Sequence, residues 1–441
     1  MQAHGVFAVG LSLALVLIGS SAQAIGPAYY LVSQQAVPFG TPVDEVYIVD
    51  SFDVDGDGAD DLALSAMIHV PNDNWDPNRP KRDFSKMPFV HSFLVQNLPT
   101  DKKFKLIDLG QDGMTQRTWA GMFFRDASQT YFALGRNGEL GRPDEVTGEK
   151  ASIFSITPSK SGWSLSTAFL ASEHRSTASI AACDLRGDGQ TALFLNNYGT
   201  VRDNAPPHNW PAYITLANGQ FTEATANNVS GMVDLAAAND VRLADIDGDG
   251  RCDLLAATEV WDSNKTPPAS RNAYMLINKD GSFPGPSVPL PDPPYGAEQA
   301  GFYLATTRLN GVPLVALDSS ANVNGPYRGV AVQLFAYANG AFTEVTKNLL
   351  SGELPAQDTA NQARLRFMDI DGDGNPDLYL SLYRGPLQVY LYRQGKFVLT
   401  SLPVPLSGHM NAVAFLRSPE HACADLAVLD STGELKRYDC R

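Results

Sequence analysis

Apolar and polar residues alternate with a period of two in several short segments of the chain, as in AYMLIN from Ala273, AVQLFAY from Ala331 and LQVYLY from Leu387. A tight polar turn and an aromatic residue follow each one: DGSF at Asp280, NGAF at Asn339 and QGKF at Gln394, with NGQF at Asn218 and SGW at Ser161 of the same kind. Such alternation bounded by Asn-Gly or Asp-Gly predicts β-hairpins, because these turn residues accept positive φ and the flanking side chains divide between two faces. Helical periodicity is nearly absent, and 37 Gly with 29 Pro suit a turn-rich all-β chain.

A second pattern precedes each hairpin. FDVDGDGADDLALS from Phe52, CDLRGDGQTALFLN from Cys183, ADIDGDGRCDLLAA from Ala244 and MDIDGDGNPDLYLS from Met368 align on an acidic turn between two apolar stretches. Their spacing is about 60 residues or twice that, and three degenerate copies fill the gaps: MFFRDASQTYFALG from Met122, ATTRLNGVPLVALD from Ala305 and AFLRSPEHACADLAVLD from Ala414. Seven units result, each reading as four antiparallel strands, with the acidic turn joining the first two and the Gly-aromatic turn the last two. One small sheet cannot bury both faces alone, so the repeat predicts a seven-bladed β-propeller over residues 25–441, with two tandem sandwiches as the alternative. The seventh unit runs out after three strands. AYYLVSQ, Ala28 to Gln34, is expected to supply the fourth and close the ring.

The acidic turns carry the candidate chemistry. Three have Asp at positions one, three, five and nine: Asp53, Asp55, Asp57 and Asp61; Asp245, Asp247, Asp249 and Asp253; Asp369, Asp371, Asp373 and Asp377. Four carboxylates in nine residues repel one another unless a cation sits among them, although acidic turns that bind nothing remain the alternative. An EF-hand is excluded, because the twelfth residues are Leu64, Ala256 and Leu380 and the flanks are strands. An all-oxygen anionic cage suits Ca²⁺, with the carbonyls of Ala59, Arg251 and Asn375 at position seven expected to complete it. The third unit, with Arg186 and Ala192 at positions three and nine, is expected to hold no ion, its guanidinium replacing one between Asp184 and Asp188. Its Arg186–Asp188 RGD string is read as turn architecture.

These D-x-D-G-D-G-x-x-D loops in seven β units resemble the FG-GAP and VCBS-type repeats of the integrin α N-terminal propeller and of many exported bacterial proteins. Strict FG and GAP tripeptides are absent. The resemblance implies Ca²⁺ held between the first and second strands of a blade by the twelve aspartates named above, about three ions in a structural role.

Composition narrows the setting. Val6 to Ile18 is apolar and leads to Ala22-Gln23-Ala24, so residues 1–24 read as a signal peptide and the product as secreted or periplasmic; an uncleaved anchor is the alternative. Nothing later is apolar for long enough to span a bilayer. A formal charge of −15 without a basic run argues against nucleic acid as a partner. Of the four cysteines, Cys423 and Cys440 are the favoured pair; free thiols are the alternative.

Antiparallel order puts the acidic turns and the Gly-aromatic hairpins on one face of the ring and the long irregular loops on the other. Trp75, Tyr198, Trp210, Trp261 and Tyr327 lie in those loops among Arg79, Arg202, Arg271 and Arg328, a composition suited to a carbohydrate or protein ligand, or simply to packing the loops themselves. No nucleophile motif or paired-acid signature appears, and His69, His174, His208, His409 and His421 are scattered. The chain therefore reads as a calcium-binding module rather than an enzyme. The alternative is a lyase or hydrolase acting on polysaccharide from the central channel, which converging titratable groups there would favour.

Overall fold

The computed structural model describes residues 26–40, 43, 45–67, 90–109, 117–127, 129–137, 150–159, 162–172, 177–197, 212–224, 238–258, 273–292, 299–321, 328–351, 363–382, 387–402, 404 and 412–441. Residues 1–24, Trp75, Tyr198, Trp210, Trp261 and Tyr327 all lie outside them.

Strand β1 (Tyr29–Ala36) precedes the first blade, which is β2 (Glu45–Phe52), β3 (Asp61–Met67), β4 (Phe93–Leu98) and β5 (Lys103–Asp108). Blade 2 is β6 (Arg117–Asp126), β7 (Gln129–Asn137), β8 (Ser152–Ser159) and β9 (Gly162–Leu170). Blade 3 is β10 (Thr177–Asp184), β11 (Thr191–Asn197), β12 (Ala212–Ala217) and β13 (Gln220–Ala224), and blade 4 is β14 (Ala238–Ala244), β15 (Asp253–Thr258), β16 (Ala273–Leu276) and β17 (Val288–Pro289). Blade 5 is β18 (Gln299–Leu309), β19 (Val312–Ala321), β20 (Arg328–Ala338) and β21 (Ala341–Glu344). A single helical turn, α1 (Thr346–Leu349), and a short strand, β22 (Leu350–Ser351), lead into blade 6, which is β23 (Ala363–Met368), β24 (Asp377–Leu382), β25 (Leu387–Arg393) and β26 (Lys396–Thr400). Blade 7 takes β27 (Ala412–Leu416), β28 (Asp425–Leu429) and β29 (Glu434–Cys440) from the C-terminus and β1 from the N-terminus, paired antiparallel from Tyr29 with Cys440 to Ala36 with Glu434.

The result is a seven-bladed β-propeller of four-stranded antiparallel sheets. One departure is β22, which runs parallel to β26 and adds a fifth strand to the rim of blade 6. No helix among the described residues is long and apolar enough to cross a membrane. The first strands follow one another round the axis, β2 against β6, then β10, β14, β18 and β23, with β27 closing back on β2.

Seven apolar clusters hold the ring, one at each contact between blades. Second strands are covered on both faces and so lose the alternation, as in DLAVL of β28, buried throughout. Burying each such Leu or Phe contributes roughly 1.5–3 kcal/mol. In blades 3 to 6 the third-to-fourth turns are two-residue hairpins with both central residues at positive φ, Asn339 at 53° and Gly340 at 81° for example, so their backbone twist matches that of the strands they join.

Two disulfides reinforce the packing. Cys423–Cys440 links the turn before β28 to the end of β29, and Cys183–Cys252 ties blade 3 to blade 4. Gly372 marks another tight contact: its φ is +76°, and a Cβ there would run into the carbonyl of Ala422 in blade 7. Gly374 has φ +83° but open space around it. Gly372→Ala is expected to cost roughly 3 kcal/mol in urea unfolding, against about 1 for Gly374→Ala.

Candidate metal centres

Each acidic loop is shaped by its own carboxylates. The position-one aspartates cap backbone amides across the bend: Gly56 N donates to Asp53 Oδ1 at 2.7 Å, Gly248 N to Asp245 Oδ1 at 2.8 Å and Gly372 N to Asp369 Oδ1 at 2.8 Å. At position five, Asp57, Asp249 and Asp373 accept the amides of Ala59, Arg251 and Asn375 at 2.8–2.9 Å. These bonds curl the chain so that one carboxylate oxygen each from Asp53, Asp55 and Asp57 lies within 4.8 Å of the others, and the same holds for Asp245, Asp247 and Asp249. In the third loop the converging set is Asp369, Asp371 and Asp377, because Asp373 Oδ2 turns to Arg393 Nη1 at 2.7 Å.

Position nine is deeper than the rest. Asp61, Asp253 and Asp377 are buried, and each bonds two segments at once. One oxygen takes the amide of the loop's second residue, Val54, Ile246 or Ile370, and the other takes an amide from the third-strand end, Asn97, Asn278 or Tyr392. These aspartates brace the loop to the blade. Burial pushes their carboxyl groups up, Asp61 to about 9, Asp253 to about 6 and Asp377 to about 7; neighbouring aspartates add to the shift, and the donated amides oppose it. Burial also raises Asp57, with Asp55 and Asp53 contributing.

The loops differ in how their charge is balanced. In the second, Arg251 Nη2 meets Asp249 Oδ2 at 2.5 Å and Arg308 Nη2 lies 3.2 Å from Asp245. In the third, Arg393 pairs with both Asp371 and Asp373. In the first, Arg125 donates instead to the carbonyls of Asp53 and Val54, at 2.9 and 3.3 Å. Asp55 Oδ2 there accepts Gln96 Nε2 and Trp163 Nε1, while its Oδ1 is buried without a partner. Among the described residues, no guanidinium or ammonium pairs with the converging carboxylates of this first loop. Of the position-seven residues, Ala59 is buried, Arg251 pairs as above, and Asn375 Nδ2 donates to Asp373 at 3.0 Å.

In the third unit, Arg186 does not sit between Asp184 and Asp188. It crosses to blade 4, where a Cβ on Gly281 would meet its Nε at 2.8 Å. The acidic side chains take backbone donors instead: Asp184 caps the amides of residues 186–189, and Asp188 accepts Gln190 N. A long side chain satisfies itself more readily over an open neighbouring hairpin than inside a bend already filled with N–H groups.

Blade 7 holds a cluster without the acidic-loop motif. Asp425 opens β28 as Asp61 opens β3, and it accepts Cys440 N at 2.9 Å, His421 Nδ1 at 2.8 Å and Arg437 Nη2 at 3.1 Å. Arg437, at 0% exposure, also bonds Asn97 Oδ1 of blade 1 at 2.8 Å and pairs with Asp439, which Lys102 meets from blade 1. The Asp-Leu step shared by Asp61, Asp253, Asp377 and Asp425 is the signal that identifies this position.

Titratable groups also converge in the channel. Asp50 of β2 faces Arg366 of β23 at 3.6 Å, and Arg242 pairs with Asp240 within β14 at 3.1 Å. Both carboxylates accept an amide of the next blade, Phe123 N and Leu304 N respectively. The Arg364 guanidinium lies over the rings of Tyr47 and Tyr303, 4.7 and 5.5 Å from their centroids.

Comparison with known proteins supports the architecture alone. No protein-family model matches the chain, and no curated protein sequence matches it. Among solved structures, Sqt1 from Chaetomium thermophilum aligns over 93% of this chain and 100% of its own, at 9% identity and a TM-score of 0.50. A polysaccharide lyase, ulvan lyase, aligns over 94% and 95% at 12% identity and a TM-score of 0.46. An α-L-arabinanase from Penicillium chrysogenum covers 75% of this chain and 95% of its own at 12% identity and a TM-score of 0.45. At such identities the likeness is one of fold.

Proposed function

We propose that this protein is an exported, calcium-braced propeller that serves as a binding or scaffold module for carbohydrate or protein ligands, with FG-GAP/VCBS-type loops holding structural Ca²⁺. The first loop carries the reading: three converging carboxylates, a buried Asp55 oxygen without a partner, and no ion pair to those carboxylates among the described residues. The donor set is all oxygen and anionic, which fits Ca²⁺, and Asp53, Asp55, Asp57 and Asp61 would hold it there. Asp245, Asp247, Asp249 and Asp253, and Asp369, Asp371, Asp373 and Asp377, would hold the other two, with Arg251, Arg308 and Arg393 drawing aside as the ion enters. An ion in these bends neutralises carboxylates that burial otherwise disfavours, so its role is to stiffen the first-to-second strand turns.

Melting with and without EGTA tests the metal claim. The expected result is a loss of several degrees in EGTA, reproduced in part by Asp55→Asn; an unchanged melt sinks it.

A second reading, an enzyme acting on polysaccharide, draws on the charged groups gathered in the channel. It is weakened by their pairing. Asp50 and Asp240 are each held by an arginine and a backbone amide, and burial raises the Tyr47 and Tyr303 hydroxyls further from the range of a base at neutral pH.

A further inference from the structure

We propose that Arg364, held against Tyr47 and Tyr303 in the half of the channel away from the acidic loops, is a binding site for a carboxylate group. The placement follows from topology. The acidic turns leave the C-terminal ends of the first strands, whereas Tyr47 stands third in β2, Tyr303 fifth in the eleven-residue β18, and Arg364 second in β23. Blades 1, 5 and 6 thus bring three side chains together at the opposite half of the axis.

Three arginines of the channel allow a direct comparison. Arg242 and Arg366 each have a carboxylate, Asp240 and Asp50. Among the described residues Arg364 has none within ion-pair distance; its guanidinium lies over the two aromatic rings, with the Tyr303 hydroxyl within its reach. Stacking fixes the plane of the fork, and a guanidinium so held presents in-plane N–H groups that a carboxylate accepts in bidentate fashion. The side chain is partly exposed, so the ligand has access.

The surroundings select the charge of the ligand. The Tyr47 hydroxyl donates to Glu45, and Asp240 lies close enough to Arg364 for its carboxyl to be affected by that charge. Both groups repel a dianion such as phosphate more strongly than a ligand of single negative charge. A neighbouring carboxyl is also incompletely partnered. Asp318, the cross-strand partner of Tyr303, is at 0% exposure, accepts at Oδ2 the amide of Ala363, the residue before Arg364, and keeps Oδ1 without a partner. Burial raises the Asp318 carboxyl well above the usual carboxylate range.

This inference rests on the binding-module reading and supplies its ligand class: a carboxylate, from a free organic acid or from an acidic saccharide. The test is calorimetric titration of the full chain at low salt and saturating Ca²⁺ with acetate, glucuronate, digalacturonate, glucose and inorganic phosphate. Saturable binding of the carboxylates, with glucose inert and phosphate at least tenfold weaker, is expected. Equal affinity for acetate and glucuronate assigns the site to organic acids, and tighter digalacturonate to acidic saccharides; either supports it. Arg364→Met should abolish binding, and Arg364→Lys, which keeps the charge and protects folding, should weaken it about tenfold; melting curves verify that both fold. Failure of every carboxylate to bind, or unchanged binding in Arg364→Lys, overturns the proposal. Arg364-independent binding of another ligand would leave the binding-module reading standing, whereas turnover of the digalacturonate would remove that reading and keep Arg364 as the anchor.

Discussion

Arg437→Ala is expected to destabilise the ring by about 3–5 kcal/mol, the largest effect of any single substitution considered, read from urea unfolding at saturating Ca²⁺. The side chain is fully buried where the two ends of the chain meet, and it bonds Asp425, Asp439 and Asn97. Truncation leaves two carboxylates inside the protein with only Lys102 and His421 to compensate them. The cost is that of an uncompensated buried charge rather than the worth of one contact. Arg437→Lys keeps the charge but cannot span three acceptors, and should recover part of the loss. Arg417 is the internal comparison. It grips Asp60 of blade 1 through Nε and Nη2 at the same seam, but its side chain is 63% exposed, so Arg417→Ala should cost much less. A change below about 0.5 kcal/mol for Arg437→Ala would mean that the seam is held without the buried guanidinium.

Chelation and pH should act together on the second large effect. Asp61, Asp253 and Asp377 have folded-state carboxyl groups raised to about 9, 6 and 7, above the value of roughly 3.9 expected in an unfolded chain. A raised acid favours the folded state when protonated. Its contribution is fully present below pH 4 and is lost as pH climbs through the folded value. In EGTA the melting temperature is therefore expected to fall between about pH 4 and pH 9, opposite to the rise shown by proteins whose aspartates are lowered by salt bridges. With Ca²⁺ the ionised form is the one that binds, so the decline should flatten and the gain from calcium should grow with pH. Asp61→Asn should remove the upper part of the slope, since its shift is the largest of the three. A chelated protein that gains stability on going from pH 5 to pH 8 contradicts this reading.

How far the sequence alone reaches can be judged residue by residue. Local signals carried the blades: Asn339-Gly340 and Asp280-Gly281 lie at the expected turns, and AYYLVSQ pairs with β29 within two residues of its expected bounds. Cys423–Cys440 follows from proximity in sequence, whereas Cys183–Cys252 joins two blades and comes from the structure alone. What escaped depends on contacts between distant blades. Arg186 was expected to close its own turn, yet the nearest open surface belongs to Gly281, almost a hundred residues away in sequence. The position-nine aspartates were read as ligands alone, because a linear motif does not show that Asn97, Asn278 and Tyr392 present amides to them. Tyr47, Tyr303 and Arg364 sit in three different blades and share no spacing, so only the closed ring brings them together. The five loop aromatics lie outside the described residues, and the candidate ligand site now rests on the channel.

The central claim is that calcium ions sit in the three acidic loops, and direct counting of bound metal tests it best. Native mass spectrometry of the full chain, exchanged from EGTA into micromolar Ca²⁺, should show about three ions per molecule, with Asp55→Asn, Asp247→Asn and Asp371→Asn each removing one. A chain that carries no calcium under these conditions, or a count unaltered by all three substitutions, contradicts the account.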